Sequence, residues 1–444
     1  MLLVSGAWCA RVATDAQAQE DMLTQIEALN FRCLRYVRQP LAPFHVLVGP
    51  NASGKTTFLD VIAFLGRLVS EGPEAAVGQR TNNFQDLTWG RAQDHFELAV
   101  EAKIPEEKRG LVGGGGEDFH NVRYEVSIGL DEKTQELGIL AENVRLCQRK
   151  AVAPQQLLCF PRMLAPPSTL MTPKGTKGTR GVISNTQEKN ANFHSEVWDR
   201  KKKGGGWMPS IKLGRRRSAL ANIPADERDF PVATWLHELL TRGVQSIVLN
   251  SIHIRAASPP GQARGFLPDG SNLPWVVADF QKRNPARFEQ WIAHLRTALP
   301  DLETIHTVER EDIRHRNLVL RYRGGLEVPS WVVSDGTLRM LALTLPAYLP
   351  QFEGVYLIEE PENGIHPLAV ETVYRSLSSV YDAQILLATH SPVILSLARA
   401  EDVLCFAKSA DGSTDIARGS EHPALREWRG TPNLGVLLGS GVLG

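Results

Sequence analysis

The sequence predicts an α/β fold on a mostly parallel central sheet, with an antiparallel subsheet near the N-terminus and a large helical and loop-rich insertion. Three observations carry this prediction. A glycine-rich loop, Gly49–Thr56, lies between a short apolar run and a helical pattern. Two other apolar runs, Val355–Ile358 and Ile385–Ala388, each end in polar residues and are spaced for one crossover helix. Phe96–Ile104 and Tyr124–Leu130 alternate as paired strands with one wet face would.

A chain of 444 residues suits two or three units, or one large domain with an insertion. With 43% hydrophobic and 22% charged residues, a sizeable core is available and global disorder is excluded. Lys+Arg and Asp+Glu are both 49, which excludes a uniformly basic nucleic-acid coat but leaves room for a local patch. No apolar run reaches the roughly 18 residues of a membrane helix. The opening MLLVSGAW is too short, with no basic residues ahead of it, for a secretory signal. Cys9, Cys33, Cys147, Cys159 and Cys405 are scattered and odd in number. That disfavours a zinc site or disulfide framework and fits a cytoplasmic location.

Residues 1–21 are small, polar and aperiodic. They read as an N-terminal extension, with the fold beginning near Met22 and the true start open between Met1 and Met22. Ile26–Phe31 and Phe44–Val48 follow as strands. A helix is expected from Lys55 to about Val69, with Phe58, Leu59, Ile62 and Leu65 on one face. The loop between the two alternating strands carries Gly113 to Gly116 and is expected to be mobile. Met171–Arg217 holds twelve Lys/Arg against three Asp/Glu and reads as a loop-rich, partly disordered insertion.

Helical patterns return at Val232–Arg242, Trp275–Arg283 and Pro285–Ala298. Asn317–Tyr322 and Leu326–Val332 suit a hairpin with Gly324-Gly325 as a two-residue turn. A helix at Leu338–Leu349, a crossover helix at Pro367–Tyr381, a strand at Val403–Ala407 and a short cap around Trp428 complete the reading. The chain thus divides into 1–21, a lobe with the glycine-rich loop (22–160), a basic and helical insertion (161–300) and a second lobe (301–444).

Gly49-Pro50-Asn51-Ala52-Ser53-Gly54-Lys55-Thr56 matches G-x-x-x-x-G-K-[ST]. Its glycines let backbone N–H groups converge on phosphate oxygens, and the following helix adds its positive dipole end. Lys55 is expected to reach the β- and γ-phosphates and Thr56 to ligate Mg²⁺, with Thr57 among the nucleotide contacts. Val355–Ile358 is a buried parallel strand whose acidic end, Glu359-Glu360, lies at the ligand-binding edge. Glu359 is placed to hold Mg²⁺ through water and Glu360 to polarise the attacking water. His390, ending the neighbouring strand, can contact the γ-phosphate or orient water. Ser334-Asp335-Gly336-Thr337 reads either as a plain N-cap or as a helix N-terminus suited to an incoming phosphate.

Together these motifs resemble the ABC-type ATPase heads, specifically their SMC- and RecF-like branch. Asn30-Phe31-Arg32 precedes the phosphate loop as in that branch. Ser334-Asp335-Gly336 stands where ABC proteins carry their signature, although it lacks the second glycine and the glutamine of transporter subunits. Glu359-Glu360-Pro361-Glu362-Asn363-Gly364-Ile365-His366-Pro367 is similar to the run in bacterial defence and overcoming-lysogenization ATPases, and Thr389-His390-Ser391 matches the switch histidine.

The resemblance covers about 22–105 and 300–410. It implies a P-loop ATPase using ATP and Mg²⁺, with Gln85 as a Q-loop metal contact. It also implies a homodimer or higher oligomer that sandwiches ATP between one chain's phosphate loop and the other's Ser334 and Gly336. The overcoming-lysogenization nucleases continue into a Toprim domain, for which the tail after His390 is too short, so nuclease activity is not expected. The expected role is a regulatory or sensor ATPase of anti-phage defence, acting through a separate protein effector. The alternative is a RecF-like DNA-binding repair or maintenance ATPase; under either reading nucleic acid could be met through 171–217, with Lys201–Lys203 and Arg215–Arg217 as candidate phosphate contacts. A membrane-transporter subunit is disfavoured by the incomplete signature and the long insertion.

Overall fold

The structure is a computed structural model that describes residues 22–426, except 132, 149–156, 187–188, 198–208, 225, 264 and 351. Leu23–Phe31 (β1) and Leu34–Pro40 (β2) form a hairpin, followed by Phe44–Val48 (β3), Lys55–Glu71 (α1) and the short Pro73–Gly78 (α2). The chain returns through His95–Lys103 (β4) and Glu106–Arg109 (α3) to the long strands Phe119–Leu130 (β5) and Leu137–Gln148 (β6). Thr179–Thr186 (β7), Ala191–Phe193 (β8) and Ser210–Ile211 (β9) complete an antiparallel sheet in the order β2-β1-β4-β5-β6-β7-β8-β9.

Pro231–Glu238 (α4) and a wide turn at Leu239–Gly243 lead into Val244–Ile247 (β10). Ser251–Arg255 (α5), Leu273–Arg283 (α6) and Pro285–Leu295 (α7) follow. Leu302–Glu309 (β11), Arg316–Tyr322 (β12) and Leu326–Pro329 (β13) make a small antiparallel sheet. Asp335–Thr344 (α8), Gly354–Glu359 (β14), Pro367–Ser378 (α9), Ala383–Ala388 (β15) and Pro392–Leu397 (α10) come next. Val403–Lys408 (β16), Thr414–Arg418 (β17) and the single turn Pro423–Arg426 (α11) end the described chain.

The central sheet runs β10-β14-β15-β3-β16-β17, parallel throughout except for β17. This is the mostly parallel sheet the apolar runs predict. Alternate residues of its strands enter opposite cores. Leu47, Leu357 and Leu386 pack with α1 and the antiparallel sheet, whereas Val46, Val48, Ile358 and Leu387 pack with α6 to α9. Covering both faces suits continuous apolar runs such as Phe44–Val48, and each buried Leu or Val contributes about 1.5–3 kcal/mol.

Several expectations need correction. The basic segment Met171–Arg217 is not all loop: β7 pairs with β6, and β8 and β9 extend the same sheet, so backbone hydrogen bonds order part of it despite its polar composition. Residues 161–300 are shared out, with β7–β9 joining the antiparallel sheet and β10 the parallel one. The four-glycine loop is tied down, since Gly113 donates to the Glu196 carbonyl (3.0 Å) and its own carbonyl accepts from Arg180 (2.7 Å). The hairpin of β12 and β13 turns over three residues, because Tyr322 pairs with Leu326. The helix expected at Leu338–Leu349 begins at Asp335 and tightens after Thr344, where Pro346 cannot continue the ladder. Strand β2 was not anticipated. The extension 1–21, Lys201–Lys203 and the cap around Trp428 lie outside the described residues. No helix among those residues is long and apolar enough to cross a membrane.

Candidate functional site

The phosphate loop joins β3 to α1, and its last glycine, Gly54, caps the helix with a left-handed φ of 106°. A side chain there would also strike Thr414 Oγ1 at 2.4 Å, so the position needs glycine twice over. Around the loop lies a cavity of about 740 Å³. Asn51, Ala52, Ser53, Gly54, Lys55, Thr56 and Thr57 line one side, and Glu359, Glu360, Thr389 and His390 the other. Gly49 and Pro50 form the floor of the loop: their carbonyls accept from Lys55 Nζ at 2.8 and 3.0 Å.

The pairing β3–β15–β14 brings the chemistry together. Thr56 Oγ1 donates to Glu359 Oε2 at 2.5 Å. Glu360 is the first residue beyond β14 and has a left-handed φ of 45°, and its carboxylate accepts from the Asn363 side-chain amide. Lys55 is buried, which lowers its pKa, while Glu360 and Glu359 counter that effect. Ser53 Oγ is buried at the loop with no hydrogen-bond partner among the described residues. An orphan hydroxyl, a cradle that a Cβ would fill and a hydroxyl–carboxylate pair together fit a nucleotide phosphate with a divalent ion. Thr56 and Glu359 would hold that ion, which would neutralise charge on the phosphate oxygens.

Some expected site residues stand elsewhere. Gln85 is not in the cavity: it lies in the turn Phe84–Leu87 with its amide turned onto Thr88, Arg91 and Gln93, and its neighbour Asp86 lines the cavity instead. Ser334 and Gly336 are also absent from the lining. Ser334 caps α8 by accepting from the Thr337 N–H, and Gly336 rests on the loop after β14, where a Cβ would lie 2.3 Å from the Gly364 carbonyl.

The cavity adds residues that the sequence did not single out: Cys33, Trp89, Arg91, Lys408, Asp411 and Gly412. Thr414, just beyond, donates from Oγ1 to the Ser53 carbonyl (2.8 Å) and from its N–H to the Cys33 carbonyl (3.0 Å). Asp411-Gly412 is visible in the sequence as a turn, but only the pairing of β16 with β3 carries that turn to the phosphate loop.

Comparison with known proteins agrees with this geometry. A family model described as "AAA domain, putative AbiEii toxin, Type IV TA system" matches residues 44–396, from the start of β3 into α10. The chain belongs to this AAA family. The matched span of the AAA domain contains the phosphate loop, Glu359-Glu360 and His390. An OLD nuclease of Thermus scotoductus (strain ATCC 700910 / SA-01) is 49% identical over 41 residues, 9% of this chain and 8% of that protein. The chain therefore spans less than a tenth of that relative.

Among solved structures, an SMC head bound to the C-winged helix domain of ScpA is 13% identical at a TM-score of 0.49, covering 89% of this chain and 97% of that one. An SMC head with an extended coiled coil, bound to the C-terminal domain of ScpA from Pyrococcus furiosus, is 12% identical at 0.47, over 89% and 96%. The resemblance to AAA- and OLD-like ATPases expected from the motifs is borne out.

Proposed function

We propose that the protein hydrolyses ATP with Mg²⁺ in the cavity between α1 and the ends of β14 and β15. The observation that carries this is the meeting of Thr56 and Glu359 at 2.5 Å, with Lys55, Glu360 and His390 on the same cavity. Lys55 holds the phosphates, Glu360 polarises the attacking water and His390 orients it or contacts the γ-phosphate. Mg²⁺-dependent ATP turnover tests this. Lys55→Ala should abolish nucleotide binding. Glu360→Gln should bind ATP and leave it unhydrolysed, with kcat down by about 10²-fold or more. Wild-type turnover in Glu360→Gln would remove the catalytic acid from this scheme.

The working unit is at least a head-to-tail homodimer, in which Ser334 and the Gly336 backbone of one copy face nucleotide held by the other's Lys55. Two observations support it. The start of α8 is exposed and lies off its own cavity. Beside it stand large exposed apolar side chains, Trp331 (55% exposed), Val332 (65%) and Ile252 (76%), linked by Arg255, which donates to the Trp331 carbonyl and Asp335.

We place the protein in the cytoplasm, as a regulatory or sensor ATPase of bacterial anti-phage defence that acts through a separate protein effector. The family's description and the local likeness to an OLD nuclease support that role. The RecF-like, nucleic-acid-binding alternative loses part of its footing. Arg215 is paired with Asp131 (2.7 Å), and Arg216 with Glu74 (3.1 Å) and Glu136 (3.8 Å), so neither is free to meet a phosphate without breaking an ion pair.

A further inference from the structure

We infer that Glu362 is a positioning residue for the switch histidine, His390, an inference that rests on the ATPase reading above. β14 ends at Glu359, and the chain then turns sharply: the Asn363 N–H donates to the Glu360 carbonyl and the Ile365 N–H to the Glu362 carbonyl, both at 3.0 Å. This turn carries the Glu362 carboxylate across to the end of β15. There Oε1 accepts from the Thr389 hydroxyl at 2.6 Å and from the backbone N–H of His390 at 3.0 Å.

Of the three residues after β15, Thr389 keeps a bond to the neighbouring strand β3, and the other two N–H groups find acceptors off the sheet. Thr389 donates to the Leu47 carbonyl (3.1 Å), Ser391 to Thr389 Oγ1 (2.9 Å), and His390 to Glu362. Glu362 is therefore the group that sets the direction in which His390 leaves the strand. Its other oxygen, Oε2, is buried without a hydrogen-bond partner among the described residues. A half-buried carboxylate of this kind is not a solvated surface acid, and its desolvation is offset by the charge-assisted bonds at Oε1. The same turn presents the Asn363 amide to Glu360. One loop thus orients the acid expected to polarise water and, through Glu362, the histidine expected to meet the γ-phosphate.

Glu362 does not itself line the cavity and reaches it only through Thr389 and His390, which do, so its effect should fall on turnover and not on nucleotide affinity. Glu362→Ala should lower kcat by about tenfold or more with KM for ATP within about twofold, as expected for a small misplacement of one reacting group. Glu362→Gln keeps an acceptor oxygen and should recover most of the rate. Adding Glu362→Ala to His390→Ala should cost nothing further, since both act through one side chain. Hydrogen exchange of the His390 amide gives a readout apart from activity: it should speed up in Glu362→Ala and stay near wild type in Glu362→Gln. If Glu362→Ala fails to fold, Thr389→Val removes the shorter bond to Oε1 and should lower kcat in the same way. Additive losses with His390→Ala, a rise in KM alongside the fall in kcat, or unchanged amide exchange would each overturn the inference. A wild-type protein without ATPase activity would instead sink the proposed function, while amide exchange would still decide the role of Glu362.

Discussion

The hydroxyl of Thr56 donates to Oε2 of Glu359 across 2.5 Å, joining the first turn of α1 to the end of β14 over 303 positions of sequence. Two oxygen groups of the kind that share a divalent ion are brought to one point by the parallel pairing of β3, β15 and β14. A strand order that left β14 at the far edge would keep the same motifs and separate them.

The composite site can be tested by mixing. Ser334→Arg should leave nucleotide binding by Lys55 largely intact while stopping hydrolysis, and Lys55→Ala should be inactive for lack of nucleotide. Together they should form a heterodimer with one complete site, wild-type Lys55 from one chain and wild-type Ser334 from the other. ATPase assays of the mixture should recover a fraction of wild-type activity. A dead mixture of folded, associating mutants would refute the trans arrangement.

Gly66 separates helix propensity from packing. It lies in α1, where Gly→Ala usually adds up to about 1 kcal/mol of helix stability. Here a Cβ would lie 2.5 Å from the carbonyl oxygen of Leu240, in the turn between α4 and β10. Backbone cannot yield as a side chain would, so Gly66→Ala should destabilise the fold by about 1–3 kcal/mol. Denaturant unfolding reads the sign directly, and a stabilised variant would show that α1 and this turn are not in firm contact.

Two buried groups give opposite pH dependences. His45, fully buried on β3, accepts the Ala42 N–H at Nε2 (2.8 Å) and meets the Asp402 carbonyl at Nδ1 (3.1 Å), which needs the neutral ring. Burial pulls its pKa from 6.5 down to about 4, so its stability contribution is lost as pH falls from 6.5 to 4. Glu196 accepts from the Val232 and Ala233 N–H groups at the start of α4, and burial pushes it from 4.5 up to about 7. The folded chain keeps that proton longer than the unfolded one, so the contribution is complete below pH 4.5 and lost as pH rises to 7. Each effect is at most about 3 kcal/mol. Unfolding curves between pH 4 and 8 should show Glu196→Gln gaining stability relative to wild type as pH rises from 4.5 to 7, since the variant lacks that decline. A constant difference between the two proteins across that range would remove Glu196 as a source of pH dependence.

The local chemistry was legible in the residue order alone. A glycine-rich loop ending in Lys55-Thr56, an apolar strand ending in Glu359-Glu360 and a second ending at His390 each declare themselves, because strand burial and phosphate binding impose narrow residue requirements over a few positions. The parallel core was legible for the same reason. Tertiary structure decided what depends on distant strand pairing. β16 beside β3 brings the Asp411-Gly412 turn and Thr414 to the phosphate loop, the turn after Glu360 carries Glu362 to His390, and the pairing of β7 with β6 makes sheet of part of a segment whose composition reads as loop. Gln85 shows the converse: a motif position alone does not aim a side chain, and here Gln85 is held in a tight local turn, bonded to Asn83 and Thr88, and does not line the cavity. Backbone pairing between strands far apart in sequence leaves no local pattern, and so these relationships become visible only once the chain is folded.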